Sequence, residues 1–161
     1  MQAETYKREQ AVKKQWLLLL LGAVLLSGCT GVRQTDAQMT SFIYTHSGMN
    51  SGSIYTWEAC RTEDGAQARI SLPGSDATFE CVMEEADYTH LGALVDRYDL
   101  WRWAGFDKTN SRVLDGESFT LDIRFADGTR IPARGSNRFP DGYREFADEL
   151  HGIFSQYIPA E

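Results

Sequence analysis

A short aromatic segment in the C-terminal half of the chain carries side chains that could bind a ligand. Residues 100–106 (LWRWAGF) contain Trp101, Trp103 and Phe106. Such rings stack against sugars or against a partner's apolar side chains, and Arg102 between them could bind an acidic group. The alternative is that these rings close one end of the hydrophobic core, since aromatic side chains pack in cores more often than they bind ligands.

A second segment, residues 135–140 (GSNRFP), has the same mixed character. Arg138 offers a guanidinium for an acidic group, and Asn137 beside it offers an amide that can donate and accept hydrogen bonds. The alternative is a turn at residues 135–137 that leads from a strand into a helix. We interpret Trp101, Trp103, Phe106, Asn137 and Arg138 together as the candidate binding residues.

The sequence contains no arrangement typical of catalysis or metal binding. The three histidines are far apart and lack the spacing of metal ligands; they are His46, His90 and His151. Metal, phosphate-loop, nucleophile-elbow and dinucleotide motifs are absent from the sequence. Asp87 and His90 lie one helical turn apart, where a helix-capping Asp beside a solvated His is the simpler interpretation. The sequence predicts no catalytic residue, no metal site and no cofactor.

The N-terminus has the layout of a secretory signal peptide. Residues 1–16 carry four basic side chains against Glu4 and Glu9, and residues 16–26 (WLLLLLGAVLL) are uniformly apolar. A helix needs about 20 apolar residues to cross a bilayer, so this block is too short to span one. A buried core helix is the alternative, but a helix apolar on all sides next to a basic cluster fits that interpretation poorly.

The four residues that follow this block, Leu26-Ser27-Gly28-Cys29, resemble the lipobox of bacterial lipoproteins. This resemblance implies cleavage before Cys29, a diacylglyceryl thioether on its thiol, and a further acyl chain such as palmitate on the new amine. Two acyl chains already anchor a protein stably in a membrane. Thr30 stands where Asp commonly retains lipoproteins at the inner membrane, so the resemblance implies an outer-membrane protein facing the periplasm if the source is Gram-negative.

We therefore divide the chain into a lipoprotein signal peptide (1–28), a lipidated, flexible tether (29–40) and one globular domain (41–161). The formal net charge is −7, and phosphate recognition depends on clustered Lys and Arg. An acidic balance of this kind argues against nucleic acid as a partner.

Alternating apolar residues predict four strands between residues 41 and 83, and a fifth and sixth at 117–125 and 130–134. Helical stripes follow at residues 91–98 and 143–157, with Asp87 expected as the N-cap of the first helix and Pro140 at the first position of the second. The hairpin between the last two strands is expected to use a three-residue loop at 127–129, with Gly128 left-handed. The order ββββαββα predicts an α+β fold in which an antiparallel sheet of about six strands carries both helices on one face.

Two cysteines, Cys60 and Cys81, remain after the lipidated one is set aside. An even number in an oxidising compartment favours a disulfide. In the predicted meander, however, they flank the same strand about 9.5 Å apart and point to opposite faces, beyond disulfide reach. Both alternatives stay open at this point.

Four stretches of the C-terminal half resemble a pattern found in uncharacterised bacterial lipoproteins and secreted proteins. They are Trp103–Phe106, Leu114–Phe119, Phe125–Thr129 and Gly135–Pro140. That family has no assigned activity, so the resemblance transfers no functional residue.

These observations lead to one preferred function and two alternatives. The preferred function is a lipid-anchored, non-enzymatic module that binds an envelope protein or polymer. The first alternative is an envelope enzyme acting on glycan or peptidoglycan through two carboxylates roughly 5–10 Å apart in a cleft. The second is a general structural lipoprotein without a specific ligand.

Overall fold

The computed structural model describes residues 34–48, 53–72, 77–113 and 116–158. All of them belong to one compact unit that runs from Val32 to Glu161. The predicted signal peptide and lipidation site lie outside the described residues. No helix in the described part of the chain is both long enough and apolar enough to cross a membrane.

Seven strands, two α-helices and a short 3-10 helix make up the domain. In chain order they are β1 (Met39–Gly48), β2 (Ser53–Thr62), β3 (Gly65–Ser71), β4 (Thr78–Val82), α1 (Glu85–Arg97), the 3-10 helix (Leu100–Trp103), β5 (Phe106–Thr109), β6 (Glu117–Phe125), β7 (Arg130–Ser136) and α2 (Tyr143–Ser155). The strands form one sheet in the order β4-β3-β2-β1-β6-β7-β5. The predicted α+β class is confirmed.

The prediction of about six antiparallel strands is wrong in one detail, because β5 joins the sheet as a seventh strand. It pairs in parallel with β7, whereas every other pair is antiparallel. The sheet is therefore mixed. A strand of four residues has too few alternations for its periodicity to be recognised in the sequence.

The hydrophobic core lies between one face of the sheet and the helices. Phe42 and Trp57 are buried on the core-facing side of β1 and β2, and each contacts a ring from α2. The ring centroids of Phe42 and Phe146 are 6.5 Å apart, and Trp57 stacks on Phe154 at 5.3 Å. The opposite face of the sheet carries mainly polar side chains, and we refer to it as the open face.

The hairpin between β6 and β7 differs from the prediction by two residues of register. Ile131 pairs with Ile123 rather than with Phe125, so the three-residue loop is 126–128. A shift by two residues keeps every side chain on the same face, so alternation alone does not distinguish the two registers. Gly128 has φ +84°, as expected for a left-handed loop position.

Pro132 lies in an internal strand, because β5 pairs with the far side of β7. The parallel ladder begins at Ala133, which pairs with Phe106. The missing N–H of Pro132 therefore falls one residue before the ladder, where no β5 carbonyl needs it as a donor. The carbonyl of Pro132 accepts a hydrogen bond from the Gly105 amide at 2.7 Å.

The first helix begins earlier, and the second later, than the sequence predicts. The N-cap of α1 is Glu84, and Asp87 instead accepts hydrogen bonds from Gln156 Nε2 and Tyr157 Oη near the end of α2. The long-range contact with α2 replaces the local capping contact.

The start of α2 is set by glycine rather than by proline. Gly142 is its N-cap with φ +76°, and the helix begins at Tyr143. Pro140 therefore lies in the preceding loop and not in the first helical turn. The left-handed Gly142 turns the chain sharply into the helix, which proline with its fixed φ cannot do.

The described part of the predicted tether is bound to the domain. Met39 and Thr40 already belong to β1, and residues 34–38, which we call the N-terminal strap, contact the end of α1 and the β6–β7 hairpin. The strap contacts are Gln34 Nε2 to Asp96 Oδ1 (3.3 Å), Thr35 Oγ1 to Asp127 Oδ2 (2.7 Å) and the Ala126 amide to the Gln38 carbonyl (2.9 Å). Polar composition suggested a free segment, but these side chains find partners on the domain.

Cys60 and Cys81 are free cysteines in the structure. Cys60 in β2 pairs with Gln67 in β3 and is exposed on the open face. Cys81 pairs with Ala68, which is buried on the core-facing side. The two thiols thus lie on opposite faces, and the disulfide alternative is not realised in this fold.

Candidate binding site

The two segments selected from the sequence meet at one pocket of about 650 Å³. Ligand pockets in proteins typically have volumes of roughly 300–1,000 Å³. We call it the aromatic–basic pocket. Its lining residues are Arg97, Tyr98, Asp99, Arg102, Trp103, Phe106, Lys108, Arg138, Phe139, Pro140, Asp141 and Gly142.

The first wall is built where α1 ends and the chain turns towards β5. Tyr98 caps α1, and Asp99 adopts a left-handed conformation with φ +48°. This conformation turns the chain into the 3-10 helix, which buries the Trp103 ring. Gly105, with φ +79°, then allows the turn that brings Phe106 into β5.

The second wall is the loop between β7 and α2, which folds back tightly on the end of the sheet. A Cβ at Gly135 would lie 2.1 Å from the Arg138 carbonyl oxygen and 2.7 Å from the Phe119 ring. Glycine is therefore needed for the loop to approach this closely. Phe139 stacks on Tyr143 at 4.5 Å, which fixes the ring in the pocket wall.

Three of the five candidate binding residues line the pocket, and two do not. Trp103, Phe106 and Arg138 belong to its lining. Trp101 is only 9% exposed; it stacks on Phe125 at 4.9 Å, so it closes the core instead. Asn137 is the turn residue of the alternative interpretation.

The side chain and backbone of Asn137 hold the loop in place. Its φ is +52°, its amide donates to the Glu117 carbonyl at 2.8 Å, and its Nδ2 donates to the Val113 carbonyl at 3.2 Å. A Cβ at Gly116 would lie 1.5 Å from Asn137 Oδ1, which shows how closely the amide packs on that backbone. Asn137 therefore positions the wall that carries Arg138.

The pocket is lined by four cationic side chains and two carboxylates, although the chain as a whole is acidic. Arg102 is 82% exposed and lies 3.7 Å from Asp99, and Arg97 forms an ion pair with Glu149 outside the pocket. Lys108 and Arg138 form no ion pair with any residue that the structure describes. The pocket thus carries an excess of positive charge that favours an anionic ligand.

An apolar surface lies beside these charges. Lys108 Nζ is 5.1 Å from the centroid of the Phe106 ring, a cation–π geometry. Phe106 and Phe139 are half-buried, and both rings approach Phe119 below the pocket at 6.3 and 5.8 Å. A ring-bearing ligand can therefore stack on aromatic edges while its acidic group meets Lys108 or Arg138.

Tyr98 is held in the pocket wall by a contact between the two helices. Its hydroxyl donates to Glu149 Oε2 at 2.7 Å, and Arg97 and His90 Nε2 also bind this carboxylate. The hydrogen bond from Tyr98 lowers the pKa of Glu149, and the bond to Glu149 raises the pKa of Tyr98. Glu149 thus fixes α1 relative to α2 next to the pocket.

Asp87 and His90, which lie one helical turn apart, bind different partners. His90 binds Glu149, whereas Asp87 binds the Tyr157 hydroxyl at 2.5 Å, so the two side chains serve different interactions. Glu85 accepts hydrogen bonds from Arg61 and from the Ala66 amide. Among the described residues, no group of three or more His, Cys, Asp or Glu side chains is arranged to hold a metal.

A second polar group lies in the core beside the pocket. Tyr44 and Tyr143 hydroxyls are 2.7 Å apart, His46 Nδ1 is 3.3 Å from the Tyr143 hydroxyl, and His46 stacks on Tyr55 at 5.1 Å. We call these four residues the tyrosine–histidine cluster. Burial raises the pKa of Tyr44 and Tyr143 and lowers that of His46.

Sequence reasoning missed Arg97, Tyr98 and Lys108 as lining residues. Phe106 and Lys108 are two apart, so they share one side of any strand that contains them. The spacing would have indicated Lys108 as a lining residue only if residues 106–109 had been recognised as a strand. Arg97 and Tyr98 line the pocket because the left-handed turn at Asp99 brings the residues that follow it back beside them. The spacing of Arg97 and Tyr98 in the sequence does not reveal this turn.

Comparison with known proteins does not assign the chain to a family. No protein-family model matches it, and no curated protein matches it significantly.

Proposed function

We propose that this chain is a lipid-anchored cell-envelope protein whose folded domain is a non-enzymatic binding module. Its ligand is an acidic envelope glycan, held by the aromatic–basic pocket. The observation that carries the proposal is the excess of cations over carboxylates in a pocket with an aromatic wall. Support for the anchor comes from the basic N-terminus, the short apolar block and the lipobox-like residues before Cys29.

The pocket chemistry supports a glycan over a nucleic acid. Sugars present apolar faces that stack on aromatic rings, here Phe106 and Phe139. An acidic sugar also carries an anionic group that can pair with Lys108 and Arg138. Nucleic-acid binding requires a longer basic surface than one pocket in an acidic chain provides.

The anchor is tested by mass spectrometry of the chain purified from bacterial membranes. We expect a chain that begins at Cys29 and carries two or three acyl groups, and a Cys29→Ser control that stays unmodified. A chain that begins at Met1, or one that partitions into the aqueous phase of a detergent extraction, contradicts the anchor.

The pocket is tested by calorimetric titration with an oligosaccharide of acidic sugars and its neutral counterpart. We expect binding of the acidic oligosaccharide only, and at least about 10-fold weaker binding for Arg138→Ala or Lys108→Ala, since a charge-assisted hydrogen bond contributes about 1.5–3 kcal/mol. Arg144→Ala is the matched control, because Arg144 is exposed on α2 outside the pocket. Equal losses in all three variants contradict the assignment of the site.

The alternative of an envelope enzyme is favoured by one observation, the presence of Asp99 and Asp141 in the same pocket. Two carboxylates in a cleft are what glycoside hydrolysis uses. Incubation with the acidic oligosaccharide, followed by mass spectrometry of products, separates the two functions. Cleavage that disappears in both Asp99→Asn and Asp141→Asn identifies an enzyme, whereas binding without products identifies a binding module.

A further inference from the structure

The N-terminal strap determines where the chain leaves the domain. Its contacts reach the end of α1 through Asp96 and the β6–β7 hairpin through Ala126 and Asp127. The strap also contains an internal hydrogen bond, which the Ala37 amide donates to Thr35 Oγ1 at 3.1 Å. The chain therefore departs from the end of the sheet that carries the β6–β7 hairpin.

The contact with the strap stabilises the charged form of the Asp127 carboxyl group. Hydrogen bonds from the Thr35 hydroxyl and from the Thr129 amide lower its pKa. The carboxylate thus joins the strap to the hairpin loop. Ala37 is partly buried and packs against the hydrophobic core, which adds an apolar contact to the polar ones.

The strap shortens the connection to the proposed anchor. Only residues 30–33 separate Cys29 from Gln34. Five residue steps at full extension span at most about 17 Å, less than half the reach of a tether that continues to residue 40. The hairpin end of the domain then has little freedom to move away from the acylated residue.

The two pocket cations without an ion-pair partner among the described residues lie at the other end of the sheet. Lys108 pairs with Gly135, and Arg138 follows β7 after Ser136, whereas the hairpin joins β7 at Arg130. The seven residues of β7 correspond to about 20 Å along the strand. Lys108 and Arg138 are therefore separated from the strap by roughly the length of a strand.

We infer that the strap holds the domain against the membrane with its hairpin end facing the bilayer and the Lys108 and Arg138 side of the pocket facing away. This inference rests on the proposed lipid anchor. It further specifies the ligand as one that approaches from the aqueous side of the envelope and not as a lipid headgroup of the anchoring membrane.

The orientation is tested with the acylated full-length product in vesicles that contain a headgroup-labelled acceptor lipid. Fluorophores are placed at Ala126→Cys, near the hairpin, or at Ser111→Cys, near the far end of β5, with Cys60 and Cys81 changed to Ser. We expect energy transfer to place position 111 about 20 Å farther from the bilayer than position 126. Equal distances, or the reverse order, overturn the inference.

An inserted linker supplies the control for the strap. Twelve Gly and Ser residues between positions 33 and 34 should increase both distances and abolish the difference between them. A difference that survives this insertion would show that another contact orients the domain, which also overturns the inference. A chain recovered without acyl groups refutes the anchor itself, and is distinguished by its mass.

A further measurement tests the strap without any membrane. Thr35→Val should accelerate hydrogen exchange of the Ala37 and Ala126 amides at least 10-fold and raise the pKa of Asp127 in NMR titration. Thr40→Val is the matched control, because its hydroxyl donates to the Arg124 carbonyl at 3.2 Å within the paired strands. Unchanged exchange in Thr35→Val would show that the strap does not hold the segment.

Discussion

The aromatic–basic pocket and the tyrosine–histidine cluster are neighbours, and both combine aromatic rings with polar groups. In the cluster, Tyr44, Tyr143 and His46 provide hydrogen-bond partners for one another inside the core. In the pocket, Lys108 and Arg138 have no ion-pair partner among the described residues. The polar groups of the cluster bind one another, whereas the charged groups of the pocket are left for a ligand.

This difference shows why residue type alone does not identify a site. The Tyr44 and Tyr143 side chains are buried, so the protein must satisfy their hydroxyls, and removing one partner costs stability. Exposed cations in the pocket are satisfied by water, so their removal costs little stability and changes binding instead. The two regions should therefore respond oppositely to substitution.

The largest expected effect comes from Gly135, which lies against the loop that forms the second wall of the pocket. In Gly135→Ala the new Cβ meets the Arg138 carbonyl and the Phe119 ring, so the loop must move. We expect a loss of about 2–3 kcal/mol in unfolding free energy, typical of overpacking, together with loss of pocket binding. Chemical denaturation measures the first effect and calorimetric titration the second.

Gly152→Ala is the control for this prediction. A Cβ at Gly152 meets no atom within 4 Å, and the residue lies in α2. We expect a gain of up to about 1 kcal/mol, since alanine favours a helix more than glycine does. If both substitutions change stability equally, the close approach at Gly135 is not what shapes the loop.

A smaller loss of stability is expected inside the cluster. Tyr44→Phe removes one hydroxyl and leaves the buried Tyr143 hydroxyl with a single partner, His46. We expect a loss of about 1–2 kcal/mol, whereas Arg138→Ala should change stability by less than about 0.5 kcal/mol. Thermal unfolding of both variants checks the contrast. If Arg138→Ala were the more destabilising, the pocket would belong to the structural core.

Much of the fold was accessible from the sequence because burial imposes clear periodicity. Phe119, Leu121 and Ile123 alternate as a strand with one buried face requires, and all three are buried. The β6–β7 register was missed because a two-residue slip preserves that pattern. Strand β5 was missed because its position is fixed by the 3-10 helix and by β7 rather than by a pattern of its own.

Only part of the candidate site could be predicted from the sequence, for a related reason. Phe106 and Arg138 lie in segments with an unusual composition, which is visible in the sequence. Their proximity depends on the parallel pairing of β5 with β7 and on the turns at Gly105 and Asn137, whose left-handed conformations place distant residues side by side. Trp101 has the same composition signal as Phe106 yet is buried, because only the path of the chain decides which ring is exposed.

The pH dependence of stability should reveal the smallest of these effects. Burial lowers the folded-state pKa of His46, although the Glu117 carboxylate partly opposes this. Above the unfolded pKa of about 6.5 the ring is neutral in both states and has no influence. As the pH falls below that value, the unfolded chain takes up the proton more readily, so stability decreases until the folded-state pKa is passed.

This decrease is separable from the acid titration of the carboxylates. The pKa values of Glu149 and Asp122 are lowered in the fold, so the stability they contribute is lost only at lower pH, below about 4.5. We expect denaturation between pH 7 and pH 5 to show the loss in the native chain and in His151→Gln, but not in His46→Gln. A loss that persists in His46→Gln would mean that the cluster tolerates a charge, and that the contrast with the pocket lies in exposure alone.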